Sequence, residues 1–378
     1  MKKQFAFLIV AASLPALANI TYTCDSSSFA TYAPAGACAA LNGSAVSNIY
    51  GSIFSNANAS IYIAFGSTGV GQSSANFTPV SYLDYYSALA SHTDDPTALA
   101  SLGGSTDPLG SGSNNEIDIS AALATALGLT GAANNNADTA GLHPDGTNCI
   151  LGVDTNCYNG VITIANVANA FYFPGLTSDT PPQIDFYYVV EHETDEILGT
   201  VSCIGGNDID ACNPANGNVS QGTDAAPADL FRYSAPGVRS FLATSNSCSG
   251  LFAYFSIDSG KTDIADYNDC PSGGDYGDWQ TIYPYLVQDG EASVDATLDI
   301  STDVGVNSNH YPRPEVAVLD AVGFNLATPE PGTLGLTATA LALLILVRRD
   351  RRLVALSARE YPPETPLDFS PRKGETSS

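Results

Sequence analysis

Two apolar segments bracket a chain whose interior carries almost no positive charge, and they confine folding to what lies between them. The first eighteen residues, MKKQFAFLIVAASLPALA, set Lys2 and Lys3 before an apolar run that ends at Ala16-Leu17-Ala18. A basic start, a hydrophobic stretch and a small-x-small end make up an export signal, with cleavage expected near Ala18–Asn19. Near the other end, Pro329-Glu330-Pro331 leads into an apolar run from Gly332 to Val347, followed by Arg348, Arg349, Arg351 and Arg352. A single span needs roughly 20 apolar residues, so this one is short, and flanking arginines mark its cytoplasmic side. The expected organisation is a signal peptide at 1–18, a folded domain at 19–327, an anchor at 328–352, and a Pro- and charge-rich, disordered tail at 353–378.

Between residues 19 and 331 only Arg232, Arg239, Lys261 and Arg313 are basic, against 34 acids, a net charge of −30. Such a surface repels phosphate backbones, which argues against nucleic acid as a partner. It suits a solvated, exported protein. The Asp-rich stretch SIDSGKTDIADYNDCPSGGDYGDW also offers oxygen ligands to calcium, although not at EF-hand spacing. The eight cysteines fall as local pairs: Cys24 with Cys38, Cys149 with Cys157, Cys203 with Cys212, and Cys248 with Cys270. An even count in an exported chain predicts disulfides, and nearest-neighbour pairing is the simplest connectivity.

Apolar and β-branched alternation predicts strands at Ile61–Ser67 and Val161–Ala165, with Leu251–Asp258 a further candidate. Helical spacing predicts helices over Val80–His92, Glu116–Leu129 and Gln183–Gly199, and over Pro314–Asn325 with Pro314 at its start. The stretches 107–116 and 131–141 read as loops. Strands and helices without regular βα alternation indicate an α+β fold. The Gly-rich GSTGVGQ at Gly66–Gln72 lacks the lysine of a phosphate loop and reads as a structural turn, and no G-x-S-x-G elbow occurs.

The chemistry concentrates in VVEHETDEILGT, Val189–Thr200. Four residues apart on a helix, His192 and Glu196 share one face, and imidazole and carboxylate both bind zinc. Glu193, about 100° around the helix, stands where a carboxylate can take a proton from metal-bound water. Gly199 stands at the position favoured for a helix C-cap, and Asp195 can support the site from behind.

The run H-E-T-D-E-I-L-G-T-V-S resembles the metzincin signature H-E-x-x-H-x-x-G-x-x-H. His192 matches the first ligand, Glu193 the general base and Gly199 the turn glycine, while Glu196 and Ser202 stand at the second and third ligand positions. No methionine follows the initiator, so the methionine turn of that family is missing. Asp229–Phe241, Ala253–Thr262, Gly273–Trp279 and Pro314–Asn325 resemble blocks of bacterial secreted metalloprotease-like proteins. The segment from Pro329 to Arg352 resembles the PEP-CTERM sorting signal of bacterial envelope proteins, except that a further tail follows its arginines. Together these resemblances imply a metzincin-like (zincin-like) metallopeptidase fold with a mixed sheet and an active-site helix. They also imply zinc as cofactor, a protein or peptide substrate, passage through export machinery, a membrane segment at residues 332–347, and processing by a sorting protease.

The third ligand stays open. His143 and His310 lie in loop-like contexts, Ser202 holds the family position as a weak donor, Cys203 is expected in a disulfide, and Asp208 and Asp210 follow shortly after. Tyr233 could serve an oxyanion or the core. Three functions fit: a metal-dependent peptidase in the cell envelope, a non-catalytic surface or matrix protein that keeps the fold for binding, or a calcium-dependent adhesive domain.

Overall fold

The alternation in Asn58–Gly66 buries Ala59, Ile61, Ile63 and Phe65 on one face and leaves the intervening residues half-exposed, the pattern of a strand covered on one side. The computed structural model describes residues 18–108, 116–178, 182–203, 225–241, 253–268, 275–280, 286–289 and 313–327. Residues 1–17 of the expected signal peptide, His310, Cys212, Cys248, Cys270, Asp208, Asp210 and the expected anchor and tail from 328 onward lie outside them.

The main sheet contains β1 (Asn19–Cys24), β2 (Asn58–Gly66), β3 (Gly71–Ala75) and β4 (Gly160–Ala165) in the order β1-β2-β4-β3. β1, β2 and β4 run parallel, and β3 lies antiparallel to β4. β4 is buried on both faces, matching its near-continuous apolar sequence. The Gly66–Gln72 turn carries the chain from β2 past β4 to the edge position. With several smaller sheets and helices besides, the architecture is mixed α+β.

The helix Phe186–Asp195, hereafter the site helix, is buried at nine of its ten residues, all but His192. Asp185 starts it by accepting hydrogen bonds from the Tyr187 and Tyr188 amides at 2.8 and 3.3 Å. A wider turn, Glu196–Thr200, ends it at Gly199, whose φ of 146° is one that side-chain-bearing residues avoid. Phe186 anchors the helix among Phe29, Phe65, Phe171 and Phe173, with ring centroids 4.6 to 6.3 Å away. Gly71 and Gly160 let helix and sheet approach closely. A Cβ on Gly160 would lie 2.6 Å from Ile197 Cδ1, and one on Gly71 would collide with Glu193 Oε1.

The structure corrects the helix expected over Glu116–Leu129. Glu116–Ser120 is a strand paired with Phe77–Ser81, and the helix occupies only Ala121–Ala126. Ser120 makes the break by capping the Leu123 amide at 3.3 Å and donating to Leu198 O at 3.1 Å. Within the strand expected at Leu251–Asp258, Tyr254–Phe255 is strand among the described residues 253–258, and Ser259 and Gly260 just beyond it turn with positive φ. The 131–141 loop contains two short 3-10 turns joined at Asn135 and Asn136, both at positive φ. Pro314–Val322 is helical as expected, with Pro314 in its first turn.

Cys24–Cys38 and Cys149–Cys157 are disulfides, and Cys203 is also bonded, to a cysteine outside the described residues. Among the described residues no helix is long and apolar enough to cross a membrane. Phe186→Ala should lower the unfolding free energy by about 3–5 kcal/mol, the cost of an aromatic deletion in a close-packed core. Urea unfolding of the purified protein measures it.

Candidate metal centre

Helical geometry brings His192, Glu193 and Glu196 together, with one donor atom from each within 4.8 Å of the others. His192 Nε2 lies 3.7 Å from Glu196 Oε1. The other ring nitrogen, Nδ1, is 2.9 Å from the carbonyl oxygen of Val287. A carbonyl can only accept, so Nδ1 carries the proton and Nε2 is the nitrogen aimed at the carboxylates. This is how metal-binding histidines are commonly held, with the outer nitrogen fixed to the backbone and the inner one free to ligate.

The edge strand supports the site from one side. Ser73 on β3 donates to Glu196 Oε2 at 2.7 Å. Beneath the helix, Asp195 is fully buried, and Tyr50 donates to its Oδ1 at 2.6 Å. Thr194 shares a 2.9 Å hydrogen bond with Tyr22. Asp195 therefore ties the helix to the segment behind it and is not a donor of the metal group.

A second arm comes from far along the chain. Asp278 Oδ1 lies 3.5 Å from His192 Nε2. Gln288 Nε2 lies 3.0 Å from Asp278 Oδ1 and 3.2 Å from His192 Nε2. Asp275 approaches from the same turn, close enough for the negative charge of Glu196 to raise its carboxyl. Arg232, stacked 4.3 Å above the Tyr267 ring, holds this turn by donating to Tyr276 O at 2.9 Å. Glu315 Oε1 accepts from Trp279 Nε1 at 2.8 Å and from the Gln288 amide at 3.1 Å. Gly277 permits the approach, since a Cβ there would lie 2.7 Å from Thr200 O and 2.9 Å from Ser202 N.

These groups are crowded acids short of positive charge. Burial, then the negative field of Glu196, pushes the Glu193 carboxyl well above its usual range. Burial pushes Asp278 up to about 7 and Asp275 up to about 6, with Glu196 adding to both. Glu196 moves the other way: against burial, the hydrogen bond and charge of His192 and the Ser73 hydroxyl hold it down. Burial also opposes charge on His192, but Asp278 and Glu196 outweigh it and hold its pKa well above the usual histidine value. Among the described residues the only ion pairs of these carboxylates are with His192. The arrangement stabilises a cation, and its imidazole and carboxylate donors are those that zinc accepts.

The other residues singled out from sequence lie elsewhere. His143 Nδ1 is 3.0 Å from Asn156 O in a turn outside the metal group. Ser202 donates to Asp229 Oδ1 at 2.5 Å, and Asp229 also receives the Cys203 and Ala226 amides at 2.9 Å each. Asp258, the calcium-loop candidate, is occupied by its own loop through Ser256, Lys261 and Thr262. Tyr233 is buried, its hydroxyl 3.4 Å from Ser101 O. A cavity of about 350 Å³ between Ile49, Leu176, Tyr187 and Glu191 is lined by none of the metal-group residues.

The Asp-rich stretch offered to calcium contains Asp275 and Asp278, but the sequence places neither beside His192, and nothing in it singles out Gln288. Gly277→Ala should destabilise the protein by about 1–3 kcal/mol, the usual cost of forcing atoms into a close-packed contact, and thermal unfolding reads this directly. No protein-family model, curated protein or solved structure matches the chain.

Proposed function

We propose that the chain is an exported, envelope-anchored metal-dependent peptidase with a metzincin-like fold, using His192 and Glu196 as ligands and Glu193 as general base. The observation that carries this reading is the orientation of His192, whose Nδ1 is committed to Val287 O while Nε2 faces Glu196. The disulfides agree with an oxidising compartment, and the leader and the segment at 332–347 are the basis for export and anchoring.

A bound zinc ion would supply Lewis acidity for water and for the scissile carbonyl. The chain's own residues do the rest. Ser73 and His192 keep Glu196 ionised and oriented. Glu193 reaches the same space from the adjacent helix position, buried against Gly71, and holds the proton taken from water until the leaving amine accepts it. β3 is an edge strand of the sheet as described, and it runs beside the site. An extended peptide can add to such an edge through backbone hydrogen bonds.

A second reading, a non-catalytic surface protein that retains the fold, is favoured by one specific contact. The side-chain NH2 of Gln288 lies within hydrogen-bond distance of both His192 Nε2 and Asp278 Oδ1, so an amide already stands beside groups that a metal would use. Glu193→Gln separates the two. Zinc-loaded wild-type protein should cleave a fluorogenic peptide library, and the variant should fall below about 1% of that rate with its zinc content unchanged. Absence of peptidase activity in zinc-loaded wild type would favour the binding protein.

A further inference from the structure

We infer that Asp278 is the third protein ligand, completing a His192–Glu196–Asp278 site for a divalent cation of the zinc class. The inference rests on the metal-site reading above and adds the donor that the helix alone lacks. Three independent features point to it.

The first is spacing. Zinc bonds of about 2.0–2.2 Å in a tetrahedral site put neighbouring donor atoms roughly 3.3–3.6 Å apart. From His192 Nε2 the two nearest carboxylate oxygens are Asp278 Oδ1 at 3.5 Å and Glu196 Oε1 at 3.7 Å. Both edges meeting at the imidazole nitrogen therefore have about the length that a shared cation would impose, whereas Asp278 is not among the donors that lie within 4.8 Å of one another, so the third edge, from Glu196 to Asp278, closes only as the cation binds.

The second is anchoring. Asp278 is 2% exposed, and its Oδ2 accepts the Asp275 amide at 2.6 Å, leaving Oδ1 turned towards His192. The turn that carries it is held by Arg232, Trp279 and Gly277 through the contacts given above. A ligand needs this kind of preorganisation, and a solvent-facing acid does not.

The third is the Gln288 amide. Its Oε1 accepts from Thr200 Oγ1 at 3.3 Å, which directs its nitrogen at His192 Nε2 and Asp278 Oδ1 together. The side-chain NH2 of Gln288 thus stands within hydrogen-bond distance of both atoms that a cation would join. With a neutral imidazole, Glu196 and Asp278 supply two negative charges, which a divalent ion balances. Ser202 is engaged with Asp229 and His143 with Asn156 O, so neither competes for this role.

The test is zinc titration by calorimetry of the metal-free full chain, followed by the visible spectrum of the cobalt-loaded protein. Wild type should bind one equivalent. Asp278→Asn should weaken binding by about a hundredfold or more, whereas Asp145→Asn, on an exposed turn outside the metal group, should change it by less than about threefold. Thermal unfolding of the metal-free variants establishes that each is folded. If the Asn variant does not fold, Asp278→His keeps a donor in place, and its cobalt bands must shift as nitrogen replaces oxygen. Unchanged affinity in Asp278→Asn, or unchanged cobalt bands in Asp278→His, overturns the role of Asp278 while the metal site stands. Wild type that binds no zinc overturns the site itself, with Gln288 as its permanent occupant.

Discussion

Burying a helix that carries Glu191, His192, Glu193, Asp195 and Glu196 is the constraint on which the rest of the fold depends. An ionised carboxylate taken out of water costs several kcal/mol unless it is paired or hydrogen-bonded. Every segment around the helix therefore presents a polar partner. Tyr50 and Tyr22 meet the helix from behind, Ser73 from the edge strand, and Val287 and Asp278 from the far part of the chain. Few of these partners carry positive charge. The structure thus collects acids around one imidazole, which makes sense chemically where a cation is part of the finished site.

The glycines show how the close contacts are obtained. Gly71, Gly160 and Gly277 sit where any side chain would meet the site helix or the backbone that follows it. Their value here is space, which lets β3, β4 and the Asp275–Trp279 turn approach within hydrogen-bonding range of one another's polar groups. Gly199 serves differently, as a positive-φ residue that turns the chain out of the helix.

Much of the framework was legible in the sequence because it is local. Alternation in Ile61–Ser67 and Val161–Ala165 marks strands, and the apolar spacing around Val189, Val190, Ile197 and Leu198 marks a buried helix. Two of the short-range cysteine pairs join as spacing suggests. The reading failed at Glu116–Ser120, where Ile117 and Ile119 alternate with polar residues and pairing with Phe77–Ser81 decided for strand. Propensity is a weak guide where tertiary pairing is available.

The sequence by itself determined that His192 and Glu196 project one turn apart on the same helix face with Glu193 beside them, because 3.6 residues per turn leaves no other arrangement. Tertiary structure alone decided which histidine nitrogen faces the acids, since that depends on Val287, 95 residues further along the chain. It also decided that Asp278 comes within 3.5 Å of His192 Nε2 and that Ser202 turns away to Asp229. A hydrogen bond between remote segments leaves no period in a sequence; only the folded backbone brings its donor and acceptor within reach.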